Sequence, residues 1–194
     1  MPLCESNRRV MLCFDLLQIG AALFLAPIAC LAQNTVTQRL EADIVPLGAL
    51  FMQSTPVILT KSNTNFNSFV GTMTLSYRAR TSQWSGQGAI TLKVTTDFNP
   101  TGGPSIAMPP SAGDTFTYTC GGATLGASCS GTQKVSTTSA TNVVTIGASA
   151  CTGGGAPCSS ANPNTANVTF TLADDPKYKT GSYSTTLTWT ISAS

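Results

Sequence analysis

The stretch that decides the fold is the end of the chain, GSYSTTLTWTIS, residues 181–192. From Tyr183 onward every second side chain is large or can be half buried, as at Leu187, Trp189 and Ile191. The residues between them are serines and threonines. A period of two places these two sets on opposite faces of a β-strand. The segment therefore predicts a strand with one buried face and one solvated face.

Further segments along the chain show the same alternation or a short apolar run, and turns rich in glycine, proline or serine separate them. The sequence letters and ranges are PVILT (56–60), FVGTMTLSYRAR (69–80), AITLKVTT (89–96), TFTYTC (115–120), NVVTIGA (142–148) and NVTFTLAD (167–174), together with residues 36–44 nearer the start. A helical period is missing from the chain after its first 32 residues. Short strands at fairly even spacing predict an antiparallel, immunoglobulin-like β-sandwich of about eight strands.

The first 32 residues predict a helical signal peptide. Arg8 and Arg9 form a positive region, the apolar run LLQIGAALFLAPIACLA follows at 16–32, and Ala32 is a small residue suited to the cleavage site. Removal of this leader would release a single domain, residues 33–194. We therefore expect a protein exported through the Sec route, either secreted or attached to the cell surface, with no membrane contact once the leader is removed.

Three alternatives for the leader remain open. It can be retained as a membrane anchor, because its apolar stretch approaches the length of a spanning helix. It can be processed as a lipoprotein at Cys30, and translation can start at Met11 instead of Met1.

The composition argues against catalysis and against nucleic-acid binding. The chain has no histidine, only 9% of its residues are charged, and its formal net charge is +2. The usual general base near neutral pH is therefore missing, and so is the commonest zinc ligand. A net charge of this size provides no basic field for nucleic acid. We expect a protein without catalytic activity and without a cofactor or metal.

The carboxylates of the predicted domain are few and scattered. A glycosidase needs two facing carboxylates, and calcium needs several oxygen ligands, for which Asp174 and Asp175 are the best candidates. We expect the acidic residues to be solvated in turns and on strand surfaces instead. They are Glu41, Asp43, Asp97, Asp114, Asp174 and Asp175.

Four cysteines remain after the leader, and an even number in an exported domain predicts disulfides. They allow three pairings. We favour the local one, Cys120 with Cys129 and Cys151 with Cys158, because each pair brackets a short, flexible loop rich in glycine, alanine and serine. A crossed pairing between the two loops stays open.

Trp84 lies in a predicted loop beside Gln83 and Gln87, with Tyr77 nearby. An exposed aromatic ring can stack on a sugar while amides bond its hydroxyls, so Trp84 and Tyr77 are candidate ligand contacts. The alternative, which we favour, is that Trp84 caps one end of the core.

The ending TGSYSTTLTWTIS resembles the last strand of exported bacterial β-sandwich proteins, namely chaperone–usher fimbrial subunits and the related spore-coat-protein-U-like group. Gly181 lies at the fimbrial position counted from the C-terminus, although Ala193 stands where that pattern has an aromatic residue. The ending is also similar to the C-terminal motif of WxL cell-wall proteins, with Ile191 in place of the leucine.

The fimbrial resemblance implies that an alternating N-terminal segment adds as a strand to a neighbouring subunit. Val36, Leu40, Ala42 and Ile44 are the candidate donor residues. The alternative, which the strong final strand favours, is that this segment is the first strand of its own complete domain. Together these observations predict a non-enzymatic structural or adhesive surface protein, which in one form is a polymerising fimbria-like subunit. Its expected partners are other surface subunits or further copies of itself. The alternative function is a monomeric carbohydrate-binding module with glycans as partners.

Overall fold

The computed structural model describes residues 38–52, 55–61, 65–106, 116–151, 158 and 163–194. The chain divides into two compact units, residues 1–41 and 42–194. In the first unit the described residues, 38–41, hold no helix or strand. The predicted signal peptide and Val36 lie outside the described residues. Within the described ranges, no helix has the length and apolar character needed to cross a membrane.

The second unit is built from antiparallel β-strands in two sheets. One sheet has the strand order β1-β2-β8-β4-β6 and the other β5-β7-β3-β9. The strands are β1 Leu47–Phe51, β2 Phe69–Arg80, β3 Gly88–Asn99, β4 Phe116–Gly121, β5 Ala127–Ser128, β6 Gln133–Lys134, β7 Thr141–Ile146, β8 Asn164–Leu172 and β9 Ser184–Ala193. The predicted all-β sandwich is therefore confirmed.

The core lies between the sheets and is formed by the alternate side chains that the sequence predicts to face inward. Burial of each large apolar side chain contributes roughly 1.5–3 kcal/mol. An aromatic chain extends across the core, with ring centroids 5.5 Å apart for Phe98 and Phe116, and 5.4 Å apart for Phe116 and Phe170. The inward residues of the longer strands include Leu75 and Tyr77 of β2, Ile90, Leu92 and Val94 of β3, Phe116 and Tyr118 of β4, and Val168, Phe170 and Leu172 of β8.

Both local disulfides are present. Cys120 is bonded to Cys129 and Cys151 to Cys158, so the favoured pairing is confirmed. Cys120 lies in β4 of the first sheet, and Cys129 follows β5 of the second sheet. This disulfide therefore connects the two sheets covalently. The disulfides fit an oxidising, extracellular environment.

The structure corrects two predicted strands. Residues 38–46 form no strand, and the first strand begins at Leu47. The interpretation of residues 36–44 as the domain's own first strand is therefore wrong for the part that is described. The PVILT run forms only an isolated bridge, from Thr60 to Val70. Its Val57 and Leu59 pack against the core without a regular ladder.

Candidate functional site

The two sheets end in four edge strands, and these differ sharply in length. β5 and β6 have two residues each, and β1 has five and follows Pro46. β9 has ten residues, STTLTWTISA, with no proline and no charged side chain. Natural proteins usually protect sheet edges with short strands, charges, prolines or bulges. Among the described strands, β9 is thus the long edge that carries neither charge nor proline, and its ladder with β3 is regular from Leu187 to Ala193, with register shifts only before Leu187.

The pairing of β9 with β3 shows which of its backbone groups point away from the sheet. Ser194 and Gln87 lie opposite each other, and the Ser194 N–H donates to the Gln87 carbonyl at 2.9 Å. Opposed residues in an antiparallel ladder alternate between bonded and non-bonded pairs. The backbone N–H and C=O groups of Leu187, Trp189 and Ile191 therefore point toward the outer edge, where no strand of the described part of the chain is hydrogen-bonded to β9. Strand β1 of the other sheet lies near this edge and contacts β9 without forming a ladder with it.

The inward side chains of β9 are only half buried. The Trp189 ring packs edge-to-face on Phe170 with centroids 6.4 Å apart. Ile191 lies against Gly48 of β1, where an added Cβ would come within 3.0 Å of the isoleucine Cγ1. Leu187, Trp189 and Ile191 all belong to the partly buried margin of the core. An added strand could complete the burial of this margin.

Residues 38–46, here called the N-terminal segment, have the alternation of a strand but no ladder. Leu40 is 91% exposed and Ile44 is 71% exposed. Ala42, between them, is exposed as well. Of the candidate donor residues, these three are therefore at the surface, and Val36 lies outside the described residues. At the end of the segment, the Arg80 guanidinium donates to the Val45 carbonyl from Nη2 at 2.6 Å and from Nε at 3.1 Å.

Trp84 and Tyr77 lie in opposite environments. Trp84 is 87% exposed in the loop between β2 and β3, so the interpretation that it caps the core is wrong. Tyr77 is fully buried, and its hydroxyl donates to the Leu125 carbonyl. Burial raises the pKa of Tyr77, an effect that this hydrogen bond partly offsets. The prediction that Tyr77 contacts a ligand is wrong, since the ring faces the core.

A shallow depression of about 500 Å³ lies on the outer face of the second sheet. Strands β3, β7 and β9 contribute to it, and the residues that line it are glycine, alanine, serine, threonine, asparagine and glutamine. The Asn142 amide donates to Thr145 Oγ1 at 2.6 Å. Sequence analysis missed this feature, because its walls come from strands that are distant along the chain.

The described carboxylates of the sandwich accept hydrogen bonds or form ion pairs, and the Asp174 side chain is only 10% exposed, so the expectation that it is solvated is wrong. Asp97 accepts hydrogen bonds from Ser105 Oγ at 2.8 Å and from the Ile106 N–H at 2.9 Å. Asp174 Oδ2 is 2.8 Å from Lys61 Nζ, and Asp175 accepts from the Lys177 N–H at 2.9 Å. Among the described residues, no group of three histidine, cysteine, aspartate or glutamate side chains could hold a metal ion. Asp114 lies outside them.

Comparisons with protein-family models, with curated proteins and with solved structures find no match for this chain. The functional argument therefore rests on the two surface features of the sandwich, the β9 edge and the depression with its neighbouring tryptophan.

Proposed function

We propose that this is a non-enzymatic structural or adhesive protein, exported through the Sec route to the cell surface or beyond, that assembles by strand addition. The N-terminal segment of one copy adds to the outer edge of β9 in the next copy. The observation that supports this most directly is the ten-residue β9 edge, which carries neither charge nor proline. The signal peptide and the immunoglobulin-like topology are part of the proposal.

The N-terminal segment matches the β9 edge in length and pattern. Nine extended residues span about 30 Å, which is comparable with a ten-residue strand. The apolar side chains of Leu40, Ala42 and Ile44 would lie on the same side as the half-buried margin of β9. The charged side chains at positions 39, 41 and 43 would face solvent, beside the outward threonines. Since β9 has no charge, it would not repel them.

The direction of assembly follows from the two surfaces. The donor and the acceptor are different parts of the chain, so the contact is heterologous, and repeated contacts of this kind form rings or open filaments. Main-chain hydrogen bonds would supply affinity, and the apolar side chains of the donor would fix its register. A bare β9 edge, which would be a liability in a monomer, is then the binding surface of a subunit.

The test is the mass distribution of the mature, non-reduced protein, measured by light scattering and by electron microscopy of the same sample. We expect filaments or ladders for the mature chain and only monomers after deletion of residues 33–45. The fold should survive this deletion, because the first strand begins at Leu47. Continued assembly of the deleted chain, or a monomeric mature chain at high concentration, would refute the proposal.

A paired substitution separates strand addition from non-specific association. Replacement of Leu40 and Ile44 by aspartate places charges where the donor would meet the margin of β9, and it should abolish assembly. Replacement of Arg39 and Glu41 by serine changes the opposite face of the segment and should leave assembly intact. Equal loss in both double variants would contradict strand addition.

A further inference from the structure

The depression on the outer face of the second sheet is produced by side-chain size. On this face Ala89 of β3 lies between Ser192 of β9 and Thr145 of β7, which are its direct neighbours in the two ladders. The small alanine forms the floor, and the flanking hydroxyl side chains form the walls. Thr91 and Asn142 continue the depression along the sheet, and Gln87 lies at its other end.

The lining determines which ligands fit. Its polar groups are the hydroxyls of serine and threonine, the amides of asparagine and glutamine, and main-chain groups, and it contains no charged side chain. An anionic ligand would find no cation among the lining side chains, and a hydrophobic ligand would leave the polar groups without hydrogen bonds, which costs free energy. A neutral ligand rich in hydroxyls matches the lining, because it can both donate to and accept from such groups.

Trp84 lies in the turn that precedes β3, and the chain continues from it to Gln87 at one end of the depression. Three residue steps separate the two, so their Cα atoms are no more than about 11 Å apart. The turn around Trp84 is held firmly: the Ser82 N–H donates to the Ser194 carbonyl at 2.9 Å, and Ser149 Oγ donates to the Gln83 carbonyl. At Gly86 an added Cβ would collide with the main chain of Ser82 and Ser194.

An indole that is 87% exposed on a fixed turn calls for an explanation. Large exposed aromatic side chains are commonly binding contacts, because one flat face offers apolar area at little conformational cost. Beside a lining of hydroxyls and amides, the ring would stack on the apolar face of a sugar whose hydroxyls reach the depression. The ring and the lining therefore indicate the same class of ligand.

We propose that Trp84 and the depression around Ala89 form a binding site for an uncharged oligosaccharide. This site goes beyond the assembly function and does not require it, because all the residues that form it belong to one copy of the chain, although β9, the strand that would accept the donor, also lines the depression. It would give the surface protein an adhesive activity of its own.

The test uses the mature chain with Trp189→Phe, so that Trp84 is the only tryptophan, and neutral hexaoses of cellulose, chitin and starch as probes, with hexagalacturonate as the charged comparison. We expect at least one neutral probe to change the Trp84 fluorescence and to shift the amide NMR signals of residues 87–91, 142–145 and 192–194. Hexagalacturonate should have no effect. The same NMR titration of the chain that retains Trp189 is the control. Equal amide shifts there would show that binding is not produced by the Trp189→Phe substitution.

Two variants locate the site. Trp84→Ala, followed by NMR, should weaken binding tenfold or more, and Ala89→Leu, which fills the floor of the depression, should do the same. Thr72→Leu, on the outer face of the other sheet, is the matched control and should bind normally. Each variant should retain the native amide spectrum elsewhere. The proposal would be overturned if no neutral hexaose shifted the amide signals at millimolar concentration. Normal binding by Trp84→Ala would also overturn it, and so would binding of a neutral serine- and threonine-rich peptide in place of the sugars.

Discussion

Two segments of this chain have the same alternating pattern, but only one of them forms a β-strand. The N-terminal segment places Leu40, Ala42 and Ile44 each directly after a charged residue, at positions 39, 41 and 43, and it forms no strand. β9 places Leu187, Trp189 and Ile191 between serines and threonines, and it pairs with β3 over its length. The difference teaches that a period of two specifies the faces of a strand but not the presence of a neighbour.

The reason is that a strand is completed by hydrogen bonds from another strand, whereas a helix satisfies most of its own. β9 pairs with β3, whose Ile90, Leu92 and Val94 are buried in the core. Among the described residues, the N-terminal segment is held to a strand by two hydrogen bonds, both from the Arg80 guanidinium to its Val45 carbonyl. An alternating segment without a ladder is what a donor strand would look like before assembly.

The largest expected effect is a loss of stability when an apolar residue is replaced by alanine. We compare one such replacement in β9 with one in the N-terminal segment. Trp189→Ala removes a ring that packs on Phe170 and should lower the free energy of unfolding by about 2–3 kcal/mol, somewhat less than a fully buried tryptophan would lose. Leu40→Ala should change it by less than about 0.5 kcal/mol, since the side chain is exposed.

The measurement is denaturant unfolding followed by circular dichroism, at concentrations where the protein is monomeric. A loss of stability in Leu40→Ala comparable with that in Trp189→Ala would mean that the N-terminal segment packs on its own domain. That result would contradict the difference between the two segments, namely that β9 packs on the sandwich and the N-terminal segment does not.

Hydrogen exchange within β9 tests the comparison at the level of single amides. In monomers, the amides of Leu187, Trp189 and Ile191 should exchange at least tenfold faster than those of Thr188 and Thr190, because only the latter bond to β3. In assemblies, the fast set should become protected to a similar extent. Uniform protection along β9 in the monomer would show that its outer edge is already covered.

The same reason explains which parts of the fold could be predicted from the sequence: the faces of a strand are local, whereas its pairing depends on distant residues. The faces of β2, β3, β8 and β9 could be predicted, because alternation is local. The two-residue strands β5 and β6 are too short to show a period, and residues 38–46 show a period without a neighbour. Tyr77 was a candidate ligand contact because it lies near Trp84 in the sequence, although the alternation of β2 already placed its ring in the core.

The surface features could be predicted only in part. A tryptophan in a loop between two strands gives no local sign of whether it turns toward the core or toward solvent, so the exposure of Trp84 required the structure. The depression around Ala89 depends on Thr145 and Ser192, which become its neighbours only through the pairing of three strands. The bare edge of β9 likewise depends on the strand order of the whole sheet.

The smallest expected effect is a fall in stability at alkaline pH, caused by the buried tyrosines of the sandwich. The N-terminal segment contains no tyrosine, so it should not contribute to this fall. Burial raises the pKa of Tyr118, partly offset by its hydrogen bond with Thr141, and burial raises the pKa of Tyr77. Above pH about 10 the unfolded chain therefore loses these protons before the folded chain does. The free energy of unfolding should be insensitive to these groups below that pH and should fall as the pH rises above it.

Two variants determine whether the fall comes from the core. Tyr118→Phe gives up the hydrogen bond that its hydroxyl donates to the Asn142 carbonyl at 2.8 Å, so it should lose about 1 kcal/mol at neutral pH, and its stability should fall less steeply between pH 9 and 11. Deletion of residues 33–45 should leave the pH profile unchanged. If the deletion flattened the profile instead, groups of the N-terminal segment would be interacting with the sandwich, and the exposed, unpaired state of that segment would be wrong.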